Sequence, residues 1–215
     1  MARTGLLVPV FLLLLGTVSS KKNENYIILA LDWAMNWGEW GPQVFCPPDT
    51  FTYAFQLKVE TEDAFDDTAM NGIELYCRSL RDVGQGGAPP RKDAREFGIT
   101  STVDPWGDWM GKRECPQGLL TGLKMKSEED QGIFDDTAAN DLEMQCDWST
   151  YTMNGGGDHW GKWSSWVSCP EGMAICGIET RVESQTATDD TALNDVRMFC
   201  CDVGSFNTTV RSYDD

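Results

Sequence analysis

Three stretches of the chain alternate apolar and polar residues with a period of two. In the first, Tyr53, Phe55, Leu57 and Val59 are interleaved with Ala54, Gln56, Lys58 and Glu60. Leu119, Thr121, Leu123 and Met125 hold the alternate positions in the second, and Ala174, Cys176, Ile178, Thr180 and Val182 in the third. A period of two puts every second side chain on one face of an extended chain, so each stretch predicts a strand with one buried face. Each is followed by another alternating run: Ile73, Leu75, Cys77; Leu142, Met144, Cys146; Val196, Met198, Cys200. Residues 26–33 and 97–103 are short, apolar and rich in strand formers, and predict strands opening the first two sets. Residues 149–153 are assigned the same place in the third. No segment sustains a helical period.

The pattern recurs because the sequence does. Residues 66–77 read DDTAMNGIELYC, 135–146 read DDTAANDLEMQC, and 189–200 read DDTALNDVRMFC. Ahead of each stands a W-G-x-W, with tryptophans at 37 and 40, 106 and 109, and 160 and 163. A Cys-Pro follows each at Cys46, Cys115 and Cys169. All these features are displaced by the same 69 and then 54 residues, which is an internal repeat. The insertion GQGGAPPR over 84–91 accounts for the longer first offset. The glycine between two large rings predicts a bend or bulge leading into a strand.

Each repeat carries about four strands, and a sheet with one apolar face cannot bury that face alone. Three sheets turned toward a common axis bury all three faces at once. The expected fold is therefore all-β, a three-sided prism, with a trefoil or a short propeller as the alternative.

Composition adds a compartment. Residues 1–20 hold one charge, Arg3, an apolar run over 6–15, and the small residues Val18, Ser19 and Ser20. That is the plan of a secretory leader, too short for a membrane anchor. Residues 21–203 are then one domain of three repeats, about 26–80, 96–148 and 149–202, with a polar tail over 204–215. Without Arg3 the chain holds 16 basic against 34 acidic residues, a net charge of −18. Such a field repels nucleic acid and anionic membranes, keeps the chain soluble, and suits cationic partners. The expected location is extracellular.

All eight cysteines follow the leader. Cys46 and Cys77, Cys115 and Cys146, and Cys169 and Cys200 are each 31 apart. One bridge per repeat is assigned, which leaves Cys176 with Cys201. Loops of that size stabilise by roughly 3–4 kcal/mol each on the chain-entropy model. Zinc is disfavoured because no Cys-x-x-Cys knuckle is present and His159 is the one histidine. No metal or cofactor is expected.

The candidate chemistry sits in the repeated motif: Asp66, Asp67 and Asn71; Asp135, Asp136 and Asn140; Asp189, Asp190 and Asn194. Paired carboxylates serve glycoside chemistry or calcium. Asp, Thr and Asn equally serve turns by bonding the backbone. Recurrence in all three repeats favours the turn, because a catalytic pair is needed once and a turn in every sheet. Adjacent strand residues also face opposite ways, which is poor geometry for an acid–base pair. The six repeated tryptophans are expected in the interior by the same reasoning, with stacking on sugar rings as the alternative. Trp33, Trp148 and Trp166 do not repeat and are freer to lie on the surface. Asn207-Thr208-Thr209 is the glycosylation sequon.

With its three copies of W-G-x-W, C-P and D-D-T-A-x-N, and its closing Cys200-Cys201 doublet, the chain resembles the vitelline membrane outer layer protein 1 family over almost its whole length after the leader. The resemblance implies a β-prism of three four-stranded Greek-key sheets with pseudo-threefold symmetry. It also implies secretion, a place in an extracellular coat for the avian member, and a link to chito-oligosaccharide chemistry. The insertion near Gly86-Gly87 and the tail after Cys201 depart from the family plan. The expected function is a non-enzymatic structural or interaction protein of an extracellular coat or mucosal secretion. Its expected partners are other coat proteins, cationic ones included, or oligosaccharides. A lectin-like module and a glycosyl-transferring enzyme are the alternatives.

Overall fold

Three long hairpins carry the fold, and each is shared between the repeat that supplies it and the next. The computed structural model describes residues 26–60, 70–84, 90–128, 139–147, 149–183 and 192–204. The leader, the six motif aspartates, Trp148 and Asn207 lie outside the described residues. In chain order the strands are β1 (Tyr26–Ala30), β2 (Glu39–Trp40), β3 (Val44–Phe45), β4 (Thr50–Val59) and β5 (Met70–Ser79). Next come β6 (Phe97–Thr100), β7 (Asp108–Trp109), β8 (Arg113–Glu114), β9 (Leu120–Ser127) and β10 (Ala139–Cys146). The last are β11 (Thr152–Asn154), β12 (Lys162–Trp163), β13 (Val167–Ser168), β14 (Met173–Val182) and β15 (Leu193–Asp202).

They form three antiparallel sheets. Sheet two has the order β6-β5-β4-β7, with β8 also on β4. Sheet three has the order β11-β10-β9-β12, with β13 on β9, and sheet one β1-β15-β14-β2, with β3 on β14. The two short pieces beside each hairpin are one interrupted edge strand, so each sheet is four strands wide. The last strand returns to lie beside the first of the hairpin, which is a Greek key. Sheet one closes the ring, because the first strand of the chain pairs with the last, Tyr26 opposite Cys201. This refines the expectation from the repeat: a sheet is not one repeat. The W-G-x-W and C-P segments of one repeat edge the hairpin of the repeat before it. The opening strands are also shorter or shifted, at 26–30, 97–100 and 152–154, against the expected 26–33, 97–103 and 149–153.

The inward alternates fill the axis, except beside the closing cysteines, where Leu120 and Ile175 turn inward in place of the expected Leu119, Thr121, Ala174 and Cys176. Phe55, Leu57, Ile73 and Leu75 meet Leu123, Met125, Leu142 and Met144 from sheet three, and Ile175, Ile178, Val196 and Met198 from sheet one. All are fully buried. Each side chain of that size contributes roughly 1.5–3 kcal/mol on burial, and no single sheet can collect it alone. The bridges Cys46–Cys77, Cys115–Cys146 and Cys169–Cys200 then join sheet one to two, two to three, and three to one.

Two bulges in each hairpin explain why particular residues repeat. Opposite the closing cysteine, one extra residue enters the first strand: Tyr53, Thr121 and Cys176. A bulge takes its residue out of the ladder and leaves its backbone to bond elsewhere. Here the carbonyls of Cys176, Tyr53 and Thr121 accept the N–H groups of Cys46, Cys115 and Cys169 at 2.7–2.9 Å. The bulge thus seats the first cysteine of every inter-sheet bridge. At the other end of the hairpin the extra residue lies in the second strand, and it is Asn71, Asn140 or Asn194, the asparagine of the motif.

Candidate functional site

The outward alternates place a cation and an aromatic ring side by side on the sheets. On sheet one, the Arg197 guanidinium lies 3.8 Å from the centre of the Trp40 ring and Arg181 lies 5.9 Å from it. Arg197 also pairs with Glu179 at 3.4 Å. On sheet three, Lys124 and Lys126 lie 4.5 and 4.9 Å from the Trp163 ring, and Lys124 lies 5.3 Å from Trp166. Lys124 pairs with Glu143 at 2.8 Å, and the Thr152 hydroxyl donates to the same carboxylate. Burial pushes Glu143 up, but the Lys124 and Thr152 bonds outweigh it and hold the carboxyl below its usual range. On sheet two, Trp109 stands opposite Lys58, whose ammonium donates to the carbonyls of Asp104 and Pro105. There the Gln56 amide and the Tyr76 hydroxyl both donate to Glu74.

The residue after the repeated asparagine differs between sheets. It is Asp141 in sheet three, Asp195 in sheet one and Gly72 in sheet two. Asp141 is buried and accepts the N–H groups of Leu142 and Gly157 and the amide of Asn154. Burial still leaves its carboxyl above the usual range. Asp195 accepts from Val196 N–H, and burial pushes it up to about 6 despite Arg197 and Arg181 nearby.

The tryptophans are not in the interior, which corrects the expectation from their recurrence. Trp37, Trp106 and Trp160 are each about half exposed, at 50%, 46% and 45%. Trp40, Trp109 and Trp163 lie on the outer faces just described. The physical reason is the glycine between them. Gly38, Gly107 and Gly161 all have φ between 77° and 89°, and a Cβ there would sit 2.3–2.5 Å from the backbone of the neighbouring long strand. The repeat conserves a tight turn against a strand end, and that turn throws its first ring outward. At this end Asn71 and Asn140 carbonyls accept the N–H groups of Asp104 and Asp158, and the Asn140 amide donates to the Trp160 carbonyl. Asn194 donates to the Ala192 carbonyl. All three asparagines are buried, and Asn71 and Asn140 brace the turns. His159 stacks on Trp160, ring centres 4.3 Å apart, with Nδ1 2.6 Å from Asp158.

At the opposite end, the bulge residue and the residue after the closing cysteine pair in sheets one and two, each pair different, while in sheet three the residue after the cysteine bonds the backbone. In sheet one they are Cys176 and Cys201, joined as the fourth disulfide. In sheet two Arg78 lies 4.3 Å from the centre of the Tyr53 ring. The Tyr53 hydroxyl donates to Glu96, which also meets Lys112 at 3.0 Å and Arg78 at 3.2 Å. Burial raises Glu96, but Tyr53, Lys112 and Arg78 together hold it below its usual range, while burial and Glu96 push Tyr53 up. In sheet three Asp147 follows the cysteine and accepts Leu119 N–H. Among the described residues no cluster of three His, Cys, Asp or Glu stands together as a metal-ion site.

The outer-face residues Lys124, Glu143, Arg197 and Arg181 were not singled out in the sequence. Their signal was present as the polar half of each alternating run, but a polar alternate looks the same whether it is solvated or stacked on a ring from another repeat.

Residues 27–203 match the family model described as Vitelline membrane outer layer protein I. The Vitelline membrane outer layer protein 1 homolog of Homo sapiens is 31% identical over 205 residues, covering 91% of this chain and 95% of its own. The homolog of Mus musculus is 33% identical over 170 residues, covering 77% and 78%. Among solved structures, Calystegia sepium agglutinin superposes with a TM-score of 0.50 at 10% identity, over 82% of this chain and 97% of its own. A mannose-binding jacalin-related lectin from Ananas comosus does so with 0.50 at 12%, over 82% and 98%. At such identities the likeness is one of fold.

Proposed function

The chain belongs to the vitelline membrane outer layer protein I family, and from that membership we propose that it is a secreted structural and interaction protein of an extracellular coat or mucosal secretion. The observation that carries this reading is the closed ring of inter-sheet disulfides. Such bonds persist in oxidising, extracellular surroundings. They hold three faces in fixed relation, which suits a building block that meets several neighbours. The acidic surface adds long-range attraction for cationic coat proteins. Labelled protein mixed with an isolated coat or mucus fraction should remain with the insoluble layer at physiological salt and lose part of that retention at high salt. Protein that stays soluble and instead converts chito-oligosaccharides to longer or shorter products would replace this reading with an enzymatic one.

A second reading, glycan binding, is favoured by the tryptophans, which stand outside where an interior role would have hidden them. The fold shared with a mannose-binding lectin adds an analogy of architecture and no more. A glycan array with and without the reduced, unfolded chain as control separates it from purely protein–protein attachment.

A further inference from the structure

The three sheets share one backbone, so comparing equivalent positions shows where one face lacks what the others have. Beside the bulge, the first strand of sheet one has Gly177, flanked by Phe199 on β15 and Phe45 on β3. The two rings lie 4.9 Å apart over that glycine, and Tyr26 packs against both at 4.9 and 5.3 Å. A Cβ on Gly177 would meet the Phe45 ring at 2.7 Å. In sheet three the same place is Gly122, flanked by Gln145 on β10 and Ser168 on β13. A Cβ on Gly122 would meet the Ser168 hydroxyl at 2.5 Å and the Gln145 carbonyl oxygen at 2.9 Å. Two phenylalanines are thus replaced by a serine and a glutamine on the same floor.

The wall differs in the opposite sense. Three residues before the first cysteine of each bridge, sheet one has Gln43, sheet two Lys112 and sheet three Trp166. In sheet one Gln43 receives a hydrogen bond from Tyr26, and in sheet two Lys112 lies 5.0 Å from the Tyr76 ring, so this position overlooks the floor. Sheet three therefore has a polar floor beside an exposed indole, where sheet one has an aromatic floor beside an amide. The polar groups are held in place: Ser168 donates to Gln145 at 3.1 Å, and the Gln145 amide donates to the Ser149 carbonyl. Of the charges near this floor, Lys124 and Glu143 pair with each other at 2.8 Å, and Asp32 is engaged by the Ser165 N–H.

We propose that this polar patch on the outer face of sheet three binds one unit of an uncharged saccharide, stacked on Trp166 and hydrogen-bonded by Gln145 and Ser168. The weakly positive C–H groups on one face of a pyranose ring complement the negative face of an indole. Hydroxyls at its rim match an amide and a hydroxyl, groups that both donate and accept. A neutral floor imposes no charge on the ligand, and a few fixed polar groups beside an apolar wall are the usual composition of a small-ligand site. The inference deepens the glycan-binding reading above and rests on it.

The test uses the purified full chain without its leader, titrated with mannotriose and with chitotriose, with dextran sulfate as an anionic control. The indole N–H resonance of Trp166 is assigned by its loss in Trp166→Phe. A saturable shift of that resonance with a neutral trisaccharide, absent with dextran sulfate, is expected. The double variant Gln145→Phe, Ser168→Phe copies the floor of sheet one and should abolish the shift while keeping the native circular dichroism. Trp166→Gln copies Gln43 on an exposed position and should weaken binding at least tenfold, which keeps the test decisive if the double variant misfolds. A Trp166 resonance unmoved by either sugar, or binding that survives Trp166→Gln, overturns the proposal. Shifts confined to Trp37, Trp106 or Trp160 would remove this site and leave the glycan reading standing. Retention in the coat fraction with no sugar effect at any indole would remove both and leave the coat reading intact.

Discussion

Substituting Gly161 by alanine tests why W-G-x-W repeats, and Gly172 supplies an internal control. Both glycines have positive φ, 89° and 83°. An alanine in that region costs roughly 1–2 kcal/mol at either position. The gain from a less flexible unfolded chain, about 0.4–1 kcal/mol, is also common to both. What differs is space. A Cβ on Gly172 meets nothing within 4 Å, whereas one on Gly161 would lie 2.3 Å from the Ser127 carbonyl oxygen and 2.5 Å from its carbon. Those atoms are backbone at the end of β9, so the turn must move instead. Moving it pulls β12 from its pairing with Ser127 and Lys126 and lifts Trp163 from Lys124 and Lys126. A lost ladder bond costs about 0.5–1.5 kcal/mol and a cation–π contact about 0.5–1. Gly161→Ala should therefore cost about 3 kcal/mol and Gly172→Ala about 1. For a domain of this size the melting temperature should fall by roughly 6–12 °C in the first and 2–4 °C in the second. Urea denaturation of the two variants reads the difference directly. Values within 0.5 kcal/mol of each other would refute the steric account and leave the motif explained by φ alone.

The disulfides should not be equivalent. The chain-entropy model assigns about 3.5 kcal/mol to a bridge of 31 residues, but Cys176–Cys201 lies almost wholly inside the loop already closed by Cys169–Cys200, so it should contribute only about 2.5. Removing both by alanine should cost more than the two single removals together, while Cys46–Cys77 and Cys115–Cys146 should simply add; equal and additive costs for all four in urea would contradict this. Asp195, with a folded pKa of about 6 above its unfolded value, contributes stability that is complete below pH 4 and lost as pH rises through 6. Asp195→Asn should thus stabilise the protein at pH 7.5 by about 1–2 kcal/mol, allowing for its partial exposure, and flatten the fall in melting temperature from pH 5 to 7.5. A double-mutant cycle on Trp40 and Arg197 should return a coupling of about 1 kcal/mol, and a coupling indistinguishable from zero would mean the 3.8 Å stack adds nothing.

The sequence by itself determined the threefold repeat, most of the strands and the inward residues between the two bulges, because a period of two and a repeated cysteine spacing are local and need no partner to be read; before the first bulge the phase flips, and Leu120 and Ile175 enter the axis where the alternation named Leu119, Thr121, Ala174 and Cys176. It carried the pairing of the cysteines for the same reason: equal separations in three copies leave little freedom. What only the tertiary structure decided is which segments meet. The edge of each sheet comes from the following repeat, so Lys124 faces Trp163, and Arg197 reaches a Trp40 that lies 157 positions earlier in the chain. Recurrence could not separate an interior ring from an outer one, since threefold symmetry repeats both; the turn at Gly38, Gly107 and Gly161, pressed against a strand end, sent the first ring outward. The motif asparagines were legible as conserved, but their place in the bulges depends on cross-strand register, which is a property of two strands together. The shelf beside Trp166 was invisible for a related reason. Gln145, Ser168 and Trp166 are ordinary surface residues singly, and they come side by side only because β10 and β13 both pair with β9.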